Sequence, residues 1–381
     1  MSPRLVFVRQ AYTPFGGAER FLASVMERLE REGVELEILC RRWKANGGPR
    51  HALVDPPYVG RLWRDAGFSH AACAWIGRQS DIRVQSHERI PCCDIYRAGD
   101  GVHREWLAQR ARLRGGAGRL LQGLSPYHRY TLAAERRLFT HPRLRRVICN
   151  SAMVRDEILR HYPVSPELLR IIPNGVDCER FHPGLRRELG PQTRRRFGIP
   201  VEAVVLTIVG SGYQRKGVDQ LIRALPETPA QTHLLVVGKD RKPAHYQRLA
   251  HRLGVASRVH IAGPQDDPRP FYAAADVYAH PALYDPAPSA VLEAMACGLP
   301  VVASEKTGNS DIIRSQRAGN VCDALDRADL LAAIAGLLDP RQRAEQGDNA
   351  RRAAETSFSL PQMTDAYLTF YREMLHADPH A

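Results

Sequence analysis

Short apolar runs divided by helical stretches recur in two series along the chain, which confines it to α/β folds built on parallel sheets. In the first series the runs are Leu5 to Arg9, Val34 to Cys40, Ile82 to Ser86, Asp94 to Tyr96, Arg146 to Cys149 and Leu169 to Ile172. After the first run, Phe15-Gly16-Gly17 reads as a tight loop. Glu19 to Arg31 then reads as an amphipathic helix with Phe21, Leu22, Val25, Met26 and Leu29 inside. A basic connection, Arg186 to Arg196, leads to the second series: strands at Ala203 to Val209, His233 to Val237, Arg258 to Ile261, Val277 to Ala279 and Val301 to Ala303. Helices are expected at Val218 to Leu225, Ala244 to Leu253, Phe271 to Ala275 and Ala290 to Ala296, with closing helices over Arg351 to Ala377. At 381 residues the chain exceeds one compact core, so two Rossmann-like, doubly wound domains are expected. Such sheets bind ligands at the carboxyl ends of their strands.

The loops after Val209, Val237, Ala279 and Ala303 then share one edge. The first, Gly210-Ser-Gly-Tyr-Gln-Arg215-Lys216-Gly217, sets adjacent cations just before a helix. Backbone amides, the helix dipole and these cations suit a diphosphate, and Arg215 or Lys216 could neutralise charge on a phosphate leaving group. A surface turn with two incidental cations is the plainer alternative. The dinucleotide fingerprint fails, because Arg215 stands where the third glycine belongs and no acidic partner follows at the needed distance. Further on, Asp285 precedes a proline-rich turn, and Glu293 lies eight positions later inside an apolar-periodic helix. Both acids are thus able to face one polar ligand, the alternative being a solvated loop acid and a surface helix acid.

The 54 Lys and Arg exceed the 41 Asp and Glu by 13 charges, and the excess is concentrated. From Arg104 to Arg146 there are eleven arginines against two acids, Glu105 and Glu135, interleaved with Trp106, Leu107, Leu113, Leu120, Leu121, Leu124, Tyr127 and Tyr130. That mixture suits an anionic bilayer surface, where each basic residue is worth about 1 kcal/mol. A solvated basic surface is the plainer reading. Nucleic acid is disfavoured, since no recognisable module surrounds the patch. No run approaches the roughly 18 uncharged apolar residues of a membrane span. The start, Met-Ser-Pro-Arg-Leu-Val-Phe-Val, enters a strand without a signal-peptide pattern, so a cytoplasmic protein is expected. The eight cysteines have no Cys-x-x-Cys spacing, which favours reduced structural thiols over disulfides or zinc.

Taken together, Gly16-Gly17-Ala-Glu-Arg20, Ile172-Pro-Asn174-Gly175-Val-Asp177, Arg215-Lys216-Gly217, Val236-Val-Gly238 and the acids Asp285 and Glu293 resemble the family 4 retaining glycosyltransferases of GT-B fold. The resemblance runs over nearly the whole chain. Within the family, Ile95-Tyr-Arg-Ala-Gly-Asp100, Tyr127-His-Arg-Tyr130 with Glu135, and Tyr213-Gln-Arg-Lys-Gly-Val-Asp219 are most similar to the lipopolysaccharide core glucosyltransferases of Gram-negative bacteria. The resemblance implies two Rossmann-like domains facing across a cleft. Residues 1–178 would form the acceptor side, 179–357 would bind the nucleotide sugar, and 358–381 would be a closing helix packed on the first domain. It further implies a retaining, metal-independent hexosyltransferase that needs no cofactor. The donor would be a nucleotide diphosphate sugar, UDP-linked, and the acceptor a lipid-linked saccharide of the lipopolysaccharide core, presented at the anionic inner membrane. An exopolysaccharide or other glycolipid acceptor is one alternative. A non-catalytic, membrane-associated protein of the same fold that binds anions or nucleotides is another.

Carried over by position, the resemblance gives Lys216 and Arg215 the diphosphate, Glu293 the ribose hydroxyls and Asp285 the sugar hydroxyls. It sets Gly16 and Gly17 close to the donor phosphates, with Gly238, Ser289 and Ala290 as further donor contacts. Asp100 falls at an active-site acid, His103 is a nearby second candidate, and Arg110, Arg112 and Arg114 lie on the acceptor or membrane side. Three departures stand out. The family's first acid is usually Glu, and Asp285 reaches about 1.5 Å less. Pro288 replaces a common glycine and has no N–H to offer. Ser211 replaces a common arginine, which leaves the second positive charge to Arg215.

Overall fold

The computed structural model describes residues 4–12, 25–43, 50–113 and 122–376. Gly16, Gly17 and Arg114, three of the expected site residues, lie outside them. The chain forms two compact units, Met1–Asn174 with Pro361–Ala381, and Gly175–Leu360. In the first, seven parallel strands run in the order β3-β2-β1-β4-β5-β6-β7. They are β1 (Arg4–Tyr12), β2 (Leu36–Trp43), β3 (Arg50–Leu53), β4 (Ile82–Ser86), β5 (Ile95–Ala98), β6 (Arg146–Cys149) and β7 (Leu169–Ile171). In the second, six parallel strands run β10-β9-β8-β11-β12-β13. These are β8 (Val204–Val209), β9 (Thr232–Val237), β10 (Val259–Gly263), β11 (Val277–His280), β12 (Val301–Ser304) and β13 (Gly319–Cys322). Central strands such as β9, buried at every residue, are the continuous apolar runs that a sheet covered on both faces requires.

Strand order reverses beside β1 in one sheet and beside β8 in the other, and such switch points open a crevice at the carboxyl edge. In the second sheet the crevice lies between the loops that follow β8 and β11. Their close approach depends on Gly217, whose φ is +86°: a Cβ there would sit 2.0 Å from the carbonyl oxygen of Pro281. The closing helix Leu360–His376 presents Met363, Tyr367, Tyr371 and Met374 at helical spacing to the first sheet. There the Tyr371 hydroxyl donates to Gln85 at 2.8 Å, and Arg97 donates to the Tyr367 hydroxyl at 2.9 Å.

The structure corrects three expectations. The segment read as a basic connection is a helix, Leu185–Arg196. Its arginines are not merely solvated: Arg186 and Arg194 reach Asp276 at 2.5 and 2.7 Å, and Arg194 also takes up the carbonyl oxygen of Ala274. Few apolar residues and an internal Pro191 hid that helix from periodicity. The loop from Gly210 to Gly217 contains a helical turn, Tyr213–Lys216. Finally, Cys73 and Cys92 form a disulfide, where reduced thiols were expected throughout; the other six cysteines are free, five of them buried. The strands β3 and β13 fall outside every expected run. Both are edge strands with few buried residues, so neither leaves a clear apolar run.

Candidate functional site

Buried charges meet where the loops after β8 and β11 adjoin. Lys216 closes the Tyr213–Lys216 turn, and its Nζ lies 2.5 Å from Oδ2 of Asp285. His280, the last residue of β11, sets Nε2 2.9 Å from the same oxygen, and Arg215 Nη1 approaches Oδ1 at 3.5 Å. A carboxylate only accepts, so the His280 hydrogen sits on Nε2. Backbone bonds hold the loops in register: Leu283 N–H donates to Arg215, Asp285 N–H to Lys306, and Gly308 N–H to Asp285. Burial works to raise the Asp285 carboxyl. The His280 hydrogen bond and the charges of Lys216 and Arg215 outweigh it and leave the group well below the usual carboxylate range. Burial, aided by Lys216, pushes His280 down to about 4, so its ring is neutral near pH 7. Burial and Arg215 likewise lower Lys216 against the pull of Asp285, but a carboxylate at 2.5 Å keeps the amine charged. One carboxylate thus faces two cations and a neutral ring, and the surplus is one positive charge. Arg215 is the exposed member of the pair, at 41% of its side chain against 10% for Lys216.

The neighbouring loops complete this edge. Gly238 follows β9 with φ +131°, and a Cβ there would lie 2.2 Å from the carbonyl oxygen of Gly210. The Tyr213 hydroxyl donates to the Gly238 carbonyl at 2.7 Å, and Tyr213 N–H donates to Asp240 at 2.9 Å. The Ser289–Ala296 helix starts after Pro288 with no side-chain cap, so Ser289 and Ala290 sit at an uncapped dipole end. Glu293 lies one turn further on, half-buried, and its Oε2 accepts from the Tyr272 hydroxyl at 2.8 Å.

In the first unit Asp100 lies just after β5, with 79% of its side chain exposed. Arg89 Nη1 is 3.5 Å away, and Arg89 Nε lies 2.9 Å from Glu135. Glu135 is fully enclosed. It also accepts from the His103 backbone N–H at 2.8 Å and from the Tyr162 hydroxyl at 2.6 Å. His103 opens the His103–Arg112 helix and is buried, with Nε2 3.1 Å from Nδ1 of His128; Arg110 lies 3.1 Å from Nε2 of His128. Arg112 is exposed beside Gln109, and Leu113 and Leu124 are exposed at 40% and 61%. The basic segment is thus not uniform. Glu105 is buried against His161 and Arg160, and Arg110 serves a histidine pair.

Comparison with known proteins adds a family to this geometry. Residues 15–180 match the model described as Glycosyltransferase Family 4, and residues 203–340 match that of Glycosyl transferases group 1. A D-inositol 3-phosphate glycosyltransferase from Salinispora arenicola is 33% identical over 95% of this chain and 88% of its own. The chain belongs to the family 4 glycosyltransferases. The lipopolysaccharide glucosyltransferase WaaG of Escherichia coli is 28% identical over 96% of this chain and 98% of its own. The crystal structure of WaaG, a glycosyltransferase involved in lipopolysaccharide biosynthesis, superposes with a TM-score of 0.78 and 27% identity, covering 98% of this chain and all of its own. Two parallel-sheet Rossmann-like units of this kind are the GT-B architecture.

As a family 4 glycosyltransferase, the chain brings together four of its sequence-predicted residues around one edge: Arg215, Lys216 and Asp285 in contact, with Gly238 tied through Tyr213. Ser289, Ala290 and Glu293 lie on the helix that follows the Asp285 loop. His280, Tyr272, Arg89 and Tyr162 are site residues outside the sequence-derived set. The signal for His280 was its place at the end of a buried strand, Val277–His280, where a ring has no hydrophobic reason to be. Tyr272 left none, since a tyrosine in an apolar helix reads as core. Among the described residues, no group of three or more His, Cys, Asp or Glu is placed to hold a metal ion. No helix among them is long and apolar enough to cross a membrane.

Proposed function

We propose that the protein is a retaining hexosyltransferase that takes its sugar from a nucleoside diphosphate donor, UDP-linked, and passes it to a lipid-linked saccharide of the lipopolysaccharide-core type. The observation that carries this reading is the surplus positive charge of Lys216, Arg215 and Asp285 at the switch point of the second sheet. An anion there gains two cations and a helix start without itself being enclosed by carboxylates. Likeness to WaaG over nearly the full length of both chains supports the acceptor class.

On this reading Arg215 and Lys216 hold the diphosphate, with Gly238 close to it. Glu293, oriented by Tyr272, takes the ribose hydroxyls; Ser289 and Ala290 offer backbone N–H groups. Asp285, shorter than the usual glutamate, sets the Lys216 ammonium and addresses the sugar through its remaining lone pairs. As the glycosidic bond to phosphate breaks, negative charge grows on the departing diphosphate, and both cations stabilise that state more than the intact donor. Departure then needs neither a metal ion nor a protonating acid. The acceptor hydroxyl attacks from the leaving-group face, its proton passing to a phosphate oxygen, while Asp100 orients it. Docking by Arg112, Arg114, Leu113 and Leu124 on the cytoplasmic face of the anionic inner membrane brings the acceptor within reach. A ligand-binding screen of the purified protein tests the donor class. Thermal stabilisation by UDP and UDP-hexoses, and not by the free hexoses, is expected; no stabilisation by any nucleoside diphosphate would remove the reading.

A further inference from the structure

Two histidines and an arginine in the first unit form a chain whose hydrogens can be placed from donor chemistry alone. Arg110 Nη1 lies 3.1 Å from Nε2 of His128, and Nδ1 of His128 lies 3.1 Å from Nε2 of His103. A guanidinium has donors and no acceptor, so His128 must accept at Nε2. A proton on that nitrogen would set N–H against N–H, which keeps His128 neutral with its hydrogen on Nδ1. That hydrogen is given to Nε2 of His103, and the hydrogen of His103 is left on Nδ1. Both rings are buried. Burial, with Arg89, His128, Arg110 and Arg61 around it, pushes His103 down to about 3, so this ring too is neutral near pH 7. The backbone is pinned as well, because His103 N–H donates to Glu135 at 2.8 Å, and Glu135 anchors the Arg89 that pairs with Asp100.

We propose that Arg110 and His128 are positioning residues that fix His103 as a neutral Nδ1–H donor. Three positions after Asp100, His103 then gives a hydrogen bond to an oxygen of the sugar acceptor and takes no proton from it. The assignment to the acceptor rests on the function proposed above; the hydrogen placement does not. It also moves Arg110 from the lipid-facing set to the machinery behind His103.

Long-range imidazole nitrogen spectra of the full-length, 15N-histidine protein at pH 7.5 test the chain directly, with His103→Gln and His128→Gln used for assignment. The Nδ1–H tautomer is expected for both rings. Arg110→Met should release His128 into a tautomer mixture, whereas Arg110→Lys, which still donates, should keep it. A protonated or Nε2–H His103 in the unmodified protein, or tautomers unmoved by Arg110→Met, would overturn the proposal. Kinetics with UDP-glucose and truncated lipopolysaccharide test the role. Losing one neutral hydrogen bond in His103→Ala should raise the acceptor KM by up to about tenfold with kcat kept. His103→Asn, whose amide replaces the Nδ1–H, should restore it. An equal collapse of kcat in both variants would make His103 a base and refute the donor role. Correct tautomers without any sugar transfer by the unmodified protein would sink the transferase reading and leave the hydrogen placement supported.

Discussion

Replacing Asp285 by alanine removes the one carboxylate among the described residues that faces Lys216, and the consequence can be worked from the burial of the pair. The two side chains are 9% and 10% exposed, and Lys216 keeps only Arg215, a like charge, and the neutral His280 ring. Breaking a buried pair from one side costs about 3 to 5 kcal/mol, and the residual exposure favours the lower end, about 3. For a unit of this size that corresponds to a fall of roughly 6 to 12 °C in Tm. Asp285→Ala with Lys216→Met removes both charges, so the double variant should regain about 2 kcal/mol relative to Asp285→Ala. The sign with pH follows from Asp285. Its folded-state carboxyl is depressed, so its stabilisation is complete above the ordinary carboxylate range and is lost as pH falls toward the depressed value. The unmodified protein should therefore lose stability on acidification more steeply than the double variant. Thermal unfolding of the four proteins of the cycle between pH 3 and pH 7, with about 0.3 kcal/mol resolution, measures the coupling. A coupling near zero, or Asp285→Ala unfolding with the unmodified protein, would refute the argument.

Other outcomes follow from the same geometry. Lys216→Met and Arg215→Met should each weaken UDP binding by about 1.5 to 3 kcal/mol in titration calorimetry. The exposed Arg215 should sit at the lower end, and unchanged affinity in the double variant removes the diphosphate assignment. Glu293→Ala should weaken free UDP and UDP-sugar alike, Tyr272→Phe should do so more mildly, and Asp285→Asn should spare UDP; equal damage to both ligands by Glu293→Ala and Asp285→Asn contradicts that split. Co-sedimentation with anionic vesicles should fall as salt shortens screening from about 10 Å at 0.1 M to about 3 Å at 1 M. Arg112→Gln with Arg114→Gln should reduce it, while Arg110→Gln should not; no preference for anionic lipid at low salt returns the segment to ordinary surface.

How much of this was legible in the sequence depended on the kind of signal each part carries. Strands β4 and β6 were readable to the residue because their apolar runs end at polar turns, and β8, β9 and β11 to within one. The edge strands β3 and β13 were not, since few of their residues are buried, and neither was the arginine-rich Leu185–Arg196 helix, whose contacts to Asp276 and to the Ala274 carbonyl leave no period in the sequence. Lys216 and Asp285 were readable as candidates from a strand-end loop and a proline turn. That they pair with each other was not, because the contact spans 69 positions and is set by the strand order β8-β11. His280 left only its place at the end of a buried strand, and Tyr272, which reaches the site through Glu293, left nothing local to distinguish it from a core residue. The arginine run concealed a division of labour that only three dimensions separate: Arg110 belongs to His128, while Arg112 faces outward.

The most direct test is transfer itself. Purified full-length protein is incubated with radiolabelled UDP-glucose and truncated lipopolysaccharide, without added metal, and the lipid fraction is counted and its new linkage determined. Labelled lipid carrying an α-linked hexose, the donor's own configuration, is expected, with the rate reduced at least tenfold in Lys216→Ala, as loss of about 1.4 kcal/mol or more of transition-state stabilisation requires. No transfer from UDP-glucose or any other nucleoside diphosphate hexose, or a β-linked product, would contradict it.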